Sequence, residues 1–453
     1  MSGCLRRAVA QWPVLARASE QNALQRTAKP TSSVPPRRQV EYSFASMSSP
    51  RFLLEDPQLF LHWLAECRRA GSASLDEVEV AQIYAIAALA AVARHDGDEQ
   101  LALSRSSISG AARFAHGVGL EEVLDGDTER QATERSRTLS LTRIQRLGQT
   151  ELIAKKIVDL ALPRHVHADA ADLYWFVLVE LLRNVVQHSK DPVGGVVAAQ
   201  RNDVGPYANS PALQVVVADN GIGVFEALKR SRPNVASPAE ALVSALEPHV
   251  SGTFAEGSSG TVENAGLGLF FIAEMAKQTR GKLLLASRGA TYFLDRTESP
   301  NTQPVITNGA APDYPGTLVV FETALDHVGS YDAIIRGIHE LAATRTPKRI
   351  TQHWIRFTDP PVDVSRVLVT VAAEDTATAH EFVTRHIEPK LLRRESVALD
   401  FLNVRVCTQS FLHALLHESV RLAWARKVPV YVVNAVPTVR AQIEFVEGYS
   451  LGG

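Results

Sequence analysis

The chain has 453 residues, a length that accommodates about three domains at ~150 residues each and excludes a single small module. Hydrophobic residues make up 45% and charged residues 21%, the mixture of an ordinary globular protein rather than a fibrous or wholly disordered one. The 47 basic and 49 acidic residues leave a formal net charge of −2, so no global field draws the chain to nucleic acid or to an anionic membrane.

Three scattered cysteines, Cys4, Cys67 and Cys407, form no CxxC pair, which argues against a disulfide framework and a thiolate zinc site and fits a reducing cytoplasm. Residues 1–47 form a basic arm with Arg6, Arg7, Arg17, Arg26, Lys29, Arg37 and Arg38 against Glu20 and Glu41, and they read as solvated and disordered. Residues 48–138 read as a small helical unit followed by a charged linker. The run from Val80 to Ala93 is too short to span a bilayer and predicts a buried helix. The serines between Ser104 and Ser109 are explained by helix capping. Leu139–Leu162 reads as helical by period, and His165 and His167 fall in a loop without acidic or thiolate partners at ligand spacing.

The next helix, about Asp172 to His188, carries chemistry. Glu180, Asn184 and His188 are spaced four apart, so they share one face of an otherwise apolar helix. Buried carboxylate and amide groups demand partners, and an amide oxygen beside a carboxylate suits Mg²⁺ shared with phosphates. A buried strand, Leu213 to Ala218, then ends in Asp219-Asn-Gly221-Ile-Gly223. A carboxylate there can accept a hydrogen bond from an exocyclic amine such as that of adenine, beside a backbone that glycines let approach a flat ring. The third element runs from Gly257-Ser-Ser-Gly260 through Asn264 and Ala265 into Gly266-Leu267-Gly268 and an amphipathic helix to about Gln278. Such a loop places free N–H groups and the positive end of a helix dipole at a phosphate. Neither the P-loop pattern nor the dinucleotide fingerprint is present.

In this order, the three elements resemble the N, G1 and G2 boxes of the gyrase, Hsp90, histidine-kinase and MutL superfamily of ATPases. Lys282–Ser287 and Pro315-Gly316-Thr317 through Phe321 resemble the two strands that follow in that superfamily. The resemblance covers about residues 148–325 and implies an ATPase domain over 139–327, a two-layer α/β sandwich holding ATP and Mg²⁺ under a lid. It implies that Asn184 coordinates Mg²⁺, that Glu180 activates a nucleophile, and that Asp219 binds the adenine amine. By the same resemblance Gly221 and Gly223 shape the adenine pocket, Gly266, Leu267 and Gly268 approach the phosphates, Thr317 sits near Asp219, and His188 ends the N box. Asn264 stands where the superfamily commonly has the first G2 glycine, and residues 290–314 read as a polar insert. No histidine lies in Leu139–Leu162, so the phosphoacceptor of a sensor histidine kinase is missing there, and His116 reads as structural.

After a linker at 328–365, residues 366–453 alternate strand and helix: Val367–Ala372, Thr376–Leu392, Ser396–Phe401, Ser410–Ala425, Val428–Asn434 and a last helix. Ser396 to Val404 followed by Thr408-Gln-Ser410 resembles the STAS-like domains related to anti-sigma-factor antagonists. That resemblance implies a phosphoacceptor role for Ser410, although serine is also a favoured N-cap. The expected fold is therefore multi-domain α/β. The expected function is an Mg-ATP-dependent regulatory protein that passes a phosphoryl group to a protein partner or substrate, with a homodimer left open. Two alternatives are an ATP-driven conformational switch that makes no phosphoprotein and an adaptor that never turns ATP over.

Overall fold

The apolar strand that ends at Asp219 lies at the centre of a large sheet in a computed structural model. The structure describes residues 49–93, 101–105, 108–126, 134–135, 137–162, 168–207, 210–248, 250, 268–309, 313–325, 334, 337–338, 340–341, 352–369 and 376–451. By internal contacts the chain divides into two units, Met1–Tyr42 and Ser43–Gly453, and every described residue belongs to the second. The protein is multi-domain in length and mixed α/β in content.

Four two-residue strands, β1 (Arg51–Phe52), β2 (Ser72–Ala73), β3 (Val80–Ala81) and β4 (Ala102–Leu103), accompany the helices α1 (Pro57–Ala70), α2 (Ile83–Ala93), α3 (Gly110–Gly117) and α4 (Leu120–Asp125). As expected from its sequence, α2 is buried along its whole length. Ser109 caps α3 by accepting the Ala112 N–H at 2.9 Å, which accounts for that serine without a ligand.

An antiparallel sheet of eight strands follows, in the order β11-β10-β9-β12-β8-β7-β6-β5. Its members are β5 (Glu134–Arg135), β6 (Thr138–Ile144), β7 (Gly195–Tyr207), β8 (Ser210–Asp219), β9 (Lys282–Ser287), β10 (Ala290–Asp295), β11 (Val305–Asn308) and β12 (Thr317–Ala324). Two expectations are corrected here. Residues 138–144 are a strand paired with β7 rather than a helix, because Leu139, Leu141 and Ile144 are buried by strand pairing, and the helix α5 starts only at Thr150 and ends at Ala161. The segment 290–314 is not merely a polar insert: it adds β10 and β11, and β10 buries Ala290, Tyr292 and Leu294.

The side chains of Leu213, Val215 and Val217 on β8 join a core with α5, α6 (Ala168–His188) and α9 (Gly268–Gln278). Alternate positions face the other way, where Gln214 meets Gln82 just ahead of α2. Because α2 packs on β7 and β8, both faces of the sheet are covered, and β8 reads as a continuous apolar run. A buried charge cluster fastens this second face. Lys282 lies 2.5 Å from Glu55 and 3.3 Å from Glu322, whose other oxygen accepts from Gln214 at 2.7 Å. Helices α7 (Gly223–Ser231) and α8 (Pro238–Ala245) follow the turn after β8.

The C-terminal region is a parallel four-stranded sheet, ordered β13-β16-β15-β14, from β13 (Ile355–Arg356), β14 (Ser365–Leu368), β15 (Val397–Asp400) and β16 (Val430–Val433). Its helices are α10 (Thr376–Phe382), α11 (Glu388–Leu392), α12 (Gln409–Arg426) and α13 (Pro437–Ser450). A wide turn at Val383–Ile387 separates α10 from α11, where Pro389 supplies no backbone donor. The expected alternation of strand and helix is present. β13 falls in the segment read as a linker because its two residues give too short a pattern to register.

Candidate functional site

Helix α6 brings Asn184 and His188 to a cavity at the end of β8, where register pairing sets Thr317 opposite Asp219, and places Glu180 one turn earlier beside the Gly268 position. Asp219 is 2% exposed, and its Oδ1 accepts N–H bonds from Gly221 at 2.8 Å and Thr317 at 3.2 Å. Burial, with Asp191 nearby, pushes its pKa up to about 7 against the opposing pull of those bonds and of Arg288. The protonated form therefore contributes stability that is complete below the unfolded value near 3.8 and is lost as pH rises through about 7.

Gly221 is required by space. A Cβ there would stand 1.9 Å from the Ser189 carbonyl oxygen, which accepts the Ile222 N–H at 2.8 Å. The Ser287 hydroxyl donates to the Gly316 carbonyl at 2.7 Å and accepts from the Val224 N–H at 2.9 Å, tying the turn to β9 and β12. Gly268 opens α9 against the same helix face: its Cβ would lie 2.9 Å from Asn184 Nδ2 and 3.4 Å from Glu180 Oε2. Asn184 Nδ2 is buried without a hydrogen-bond partner among the described residues.

Asn184, His188, Asp219, Gly223, Gly268 and Thr317 all line one cavity of about 90 Å³, walled by apolar side chains that include Leu181, Val217 and Val319. Burial, reinforced by Lys190, lowers the His188 pKa to about 4, so its ring is neutral near pH 7. A flat heteroaromatic ring with an amine donor matches such a wall with a carboxylate at its edge. The N–H groups of the first turn of α9, which a helix leaves without an intrahelical partner, suit an anion beside it. The amide oxygen of Asn184 and the carboxylate of Glu180 are hard oxygen donors of the kind Mg²⁺ takes alongside phosphate. Among the described residues no group of three His, Cys, Asp or Glu side chains could hold a metal by itself. Gly266 and Leu267 lie outside the described residues, as do Gly257, Gly260, Asn264 and the pair His165 and His167.

The sequence gives no sign that Ser410 meets Glu180. Its hydroxyl lies 3.2 Å from Glu180 Oε2, and its backbone N–H donates to Glu180 Oε1 at 3.5 Å, across 230 positions. Both residues are buried, at 4% exposure for Glu180 and 6% for Ser410. The N-cap of α12 is Thr408, whose Oγ1 accepts the Phe411 N–H at 3.1 Å, so Ser410 is not needed as the cap. A second contact with α6 comes from the segment between β15 and α12, where Arg405 lies 3.4 Å from Asp172. Burial raises the pKa of Glu180, opposed first by Arg183 and then by the bonds from Ser410. His116 is exposed and 3.5 Å from Glu121, apart from this chemistry.

No protein-family model, curated protein or solved structure matches this chain. Among the described residues no helix is long and apolar enough to cross a membrane.

Proposed function

We propose that this chain is an Mg-ATP-binding regulatory protein, similar to the histidine-kinase-like ATPases, that transfers the γ-phosphoryl group of ATP to the hydroxyl of its own Ser410. One observation carries the reading: a buried carboxylate, Glu180, holds the Ser410 hydroxyl at 3.2 Å beside the Asn184 and Gly268 positions of the apolar cavity. In this account 139–327 is an ATPase domain, 366–453 is a STAS-like acceptor domain, and the protein works in the cytoplasm.

Asp219 takes the adenine amine, the cavity walls take the ring, and the start of α9 takes phosphate oxygens. Mg²⁺, when bound, offsets phosphate charge, and Asn184 is the residue to hold it. Glu180 accepts the proton of the Ser410 hydroxyl as Oγ bonds to the γ-phosphorus. The bond from that phosphorus to the β–γ bridging oxygen breaks, leaving ADP and phosphoserine. A carboxylate whose pKa burial has raised is a better proton acceptor than an ordinary glutamate. Ligand pockets run to about 300–1,000 Å³, so the cavity must widen to admit a nucleotide. The phosphoserine then carries roughly −1.5 to −2 charge against Glu180, which favours parting of the two regions and suits partner switching.

Asp219→Asn is expected to weaken ATP binding by about 1.5–3 kcal/mol, or at least tenfold, because the amide presents a donor where the amine needs an acceptor. Equilibrium titration with a fluorescent ATP analogue reads this, and unchanged affinity would remove Asp219 from the pocket. The function itself is tested by incubating the full chain with γ-labelled Mg-ATP and mapping the label. Acid-stable label on Ser410, absent from Asn184→Ala and Ser410→Ala proteins, is the expected result. Free phosphate without labelled protein would favour the ATP-driven switch instead, and acid-labile label would place the acceptor on histidine.

A further inference from the structure

A cleft on the far side of the Asp219 turn shares no lining residue with the cavity described above. Its volume is about 960 Å³, and its walls come from the end of α1, the segment after α6, the turn after β8 and the end of β9. Four cations line it: Arg68, Arg69, Lys190 and Arg288. Asp313 is the one carboxylate among its described lining residues. That carboxylate is engaged, since its Oδ1 accepts the Gly289 N–H at 2.5 Å, and Arg68 reaches the Asp313 carbonyl at 3.5 Å. Arg69 and Lys190 are exposed and make no ion pair with a carboxylate among the described residues.

Basic residues in the last turn of a helix are ordinary partners of the helix dipole, which accounts for Arg68 and Arg69. Lys190, two residues past the end of α6, and Arg288, just past β9, bring two further cations to the same cleft from other elements. Both also hold left-handed backbone conformations, with φ of 56° and 31°, that cost free energy for side-chain-bearing residues. The Arg288 guanidinium donates to the Gly221 carbonyl at 2.7 Å, and Asn220, Gly221 and Ile222 complete that wall. Among the described lining residues, four cations face one cleft and the single carboxylate, Asp313, is engaged by a backbone N–H, an arrangement that raises the local concentration of a compact polyanion.

We propose that this cleft binds a multiply charged phosphate chain, either a free oligophosphate or the phosphate end of a nucleotide, as a site separate from the Asp219 cavity. The assignment does not depend on phosphoryl transfer to Ser410. Inorganic tripolyphosphate and UTP are the probes, titrated calorimetrically into the full chain without Mg²⁺, in an Asn184→Ala background that impairs the proposed ATP site. Arg69→Ala with Lys190→Ala is the test variant; both side chains are exposed, so neither change opens the core. Binding of tripolyphosphate that the double variant weakens at least tenfold, and that weakens steeply with salt, is the expected result. Equal affinity for UTP and tripolyphosphate identifies the phosphate chain as the recognised group, and tighter UTP binding with the same loss in the variant identifies a nucleotide. No binding, or equal binding to the double variant, would overturn the proposal. Because no arm scores Ser410, failure here leaves the phosphotransfer reading standing, and the converse also holds.

Discussion

Glu180→Gln is expected to slow phosphorylation of Ser410 by about 10²–10⁴-fold, the usual contribution of a positioned general base, while leaving Mg-ATP affinity within about threefold. The substitution keeps the shape of the side chain and an oxygen for the Ser410 N–H, but the amide cannot take the hydroxyl proton. The pH dependence carries a second signature. Burial raises the pKa of Glu180, so transfer should fall on acidification at a pH above the ordinary carboxylate range, and the Gln variant should lack that limb. Single-turnover labelling at several pH values separates this from a structural role, since a misplaced helix would lower the rate at every pH alike. Retention of the full rate by the Gln variant would remove Glu180 from the chemistry.

The second large effect concerns stability. Lys282→Met should cost about 3–5 kcal/mol, because it leaves Glu322, 1% exposed, as a buried carboxylate without its cation. Glu55 loses the same partner, so the substitution also loosens the hold of the N-terminal segment on the sheet. Burial pushes the Glu322 pKa up, opposed first by Lys282, and removing the lysine leaves burial without that counterweight. Pairing Lys282→Met with Glu322→Met should recover most of the loss, since apolar replacement of a buried pair is often neutral or better. Urea midpoints of the three proteins measure this, and a single variant within about 1 kcal/mol of the parent would mean that the cluster contributes little.

The features legible from sequence are those encoded locally. A four-residue spacing on α6 is enough to align Glu180, Asn184 and His188, and the apolar run of β8 with its terminal Asp219 and glycines marks a buried strand and turn. The misreadings have a common physical origin. Leu139, Leu141 and Ile144 satisfy no helix once β7 is beside them, and the pairing partner lies more than fifty residues away. The segment around β10 and β11 looks polar because β11 is an exposed edge, whereas β10 is held in the sheet by β9. The approach of Ser410 to Glu180 joins positions 230 residues apart, and no local pattern encodes that distance. Arg288 and the Ser189 carbonyl leave no local signal for the same reason, since each acts on the Asp219 turn from a different element.

The contact between Glu180 and Ser410 within one chain makes a claim about molecularity, and the initial rate of Ser410 labelling across a range of protein concentrations tests it most directly. Transfer within the chain predicts a fractional rate per molecule that does not change on dilution. It also predicts that a Glu180→Gln chain mixed with a Ser410→Ala chain labels Ser410 no faster than the Glu180→Gln chain alone. A fractional rate that rises in proportion to protein concentration, with Ser410 labelled faster in the mixture than in the Glu180→Gln chain alone, would contradict the account and assign the contact to a resting arrangement.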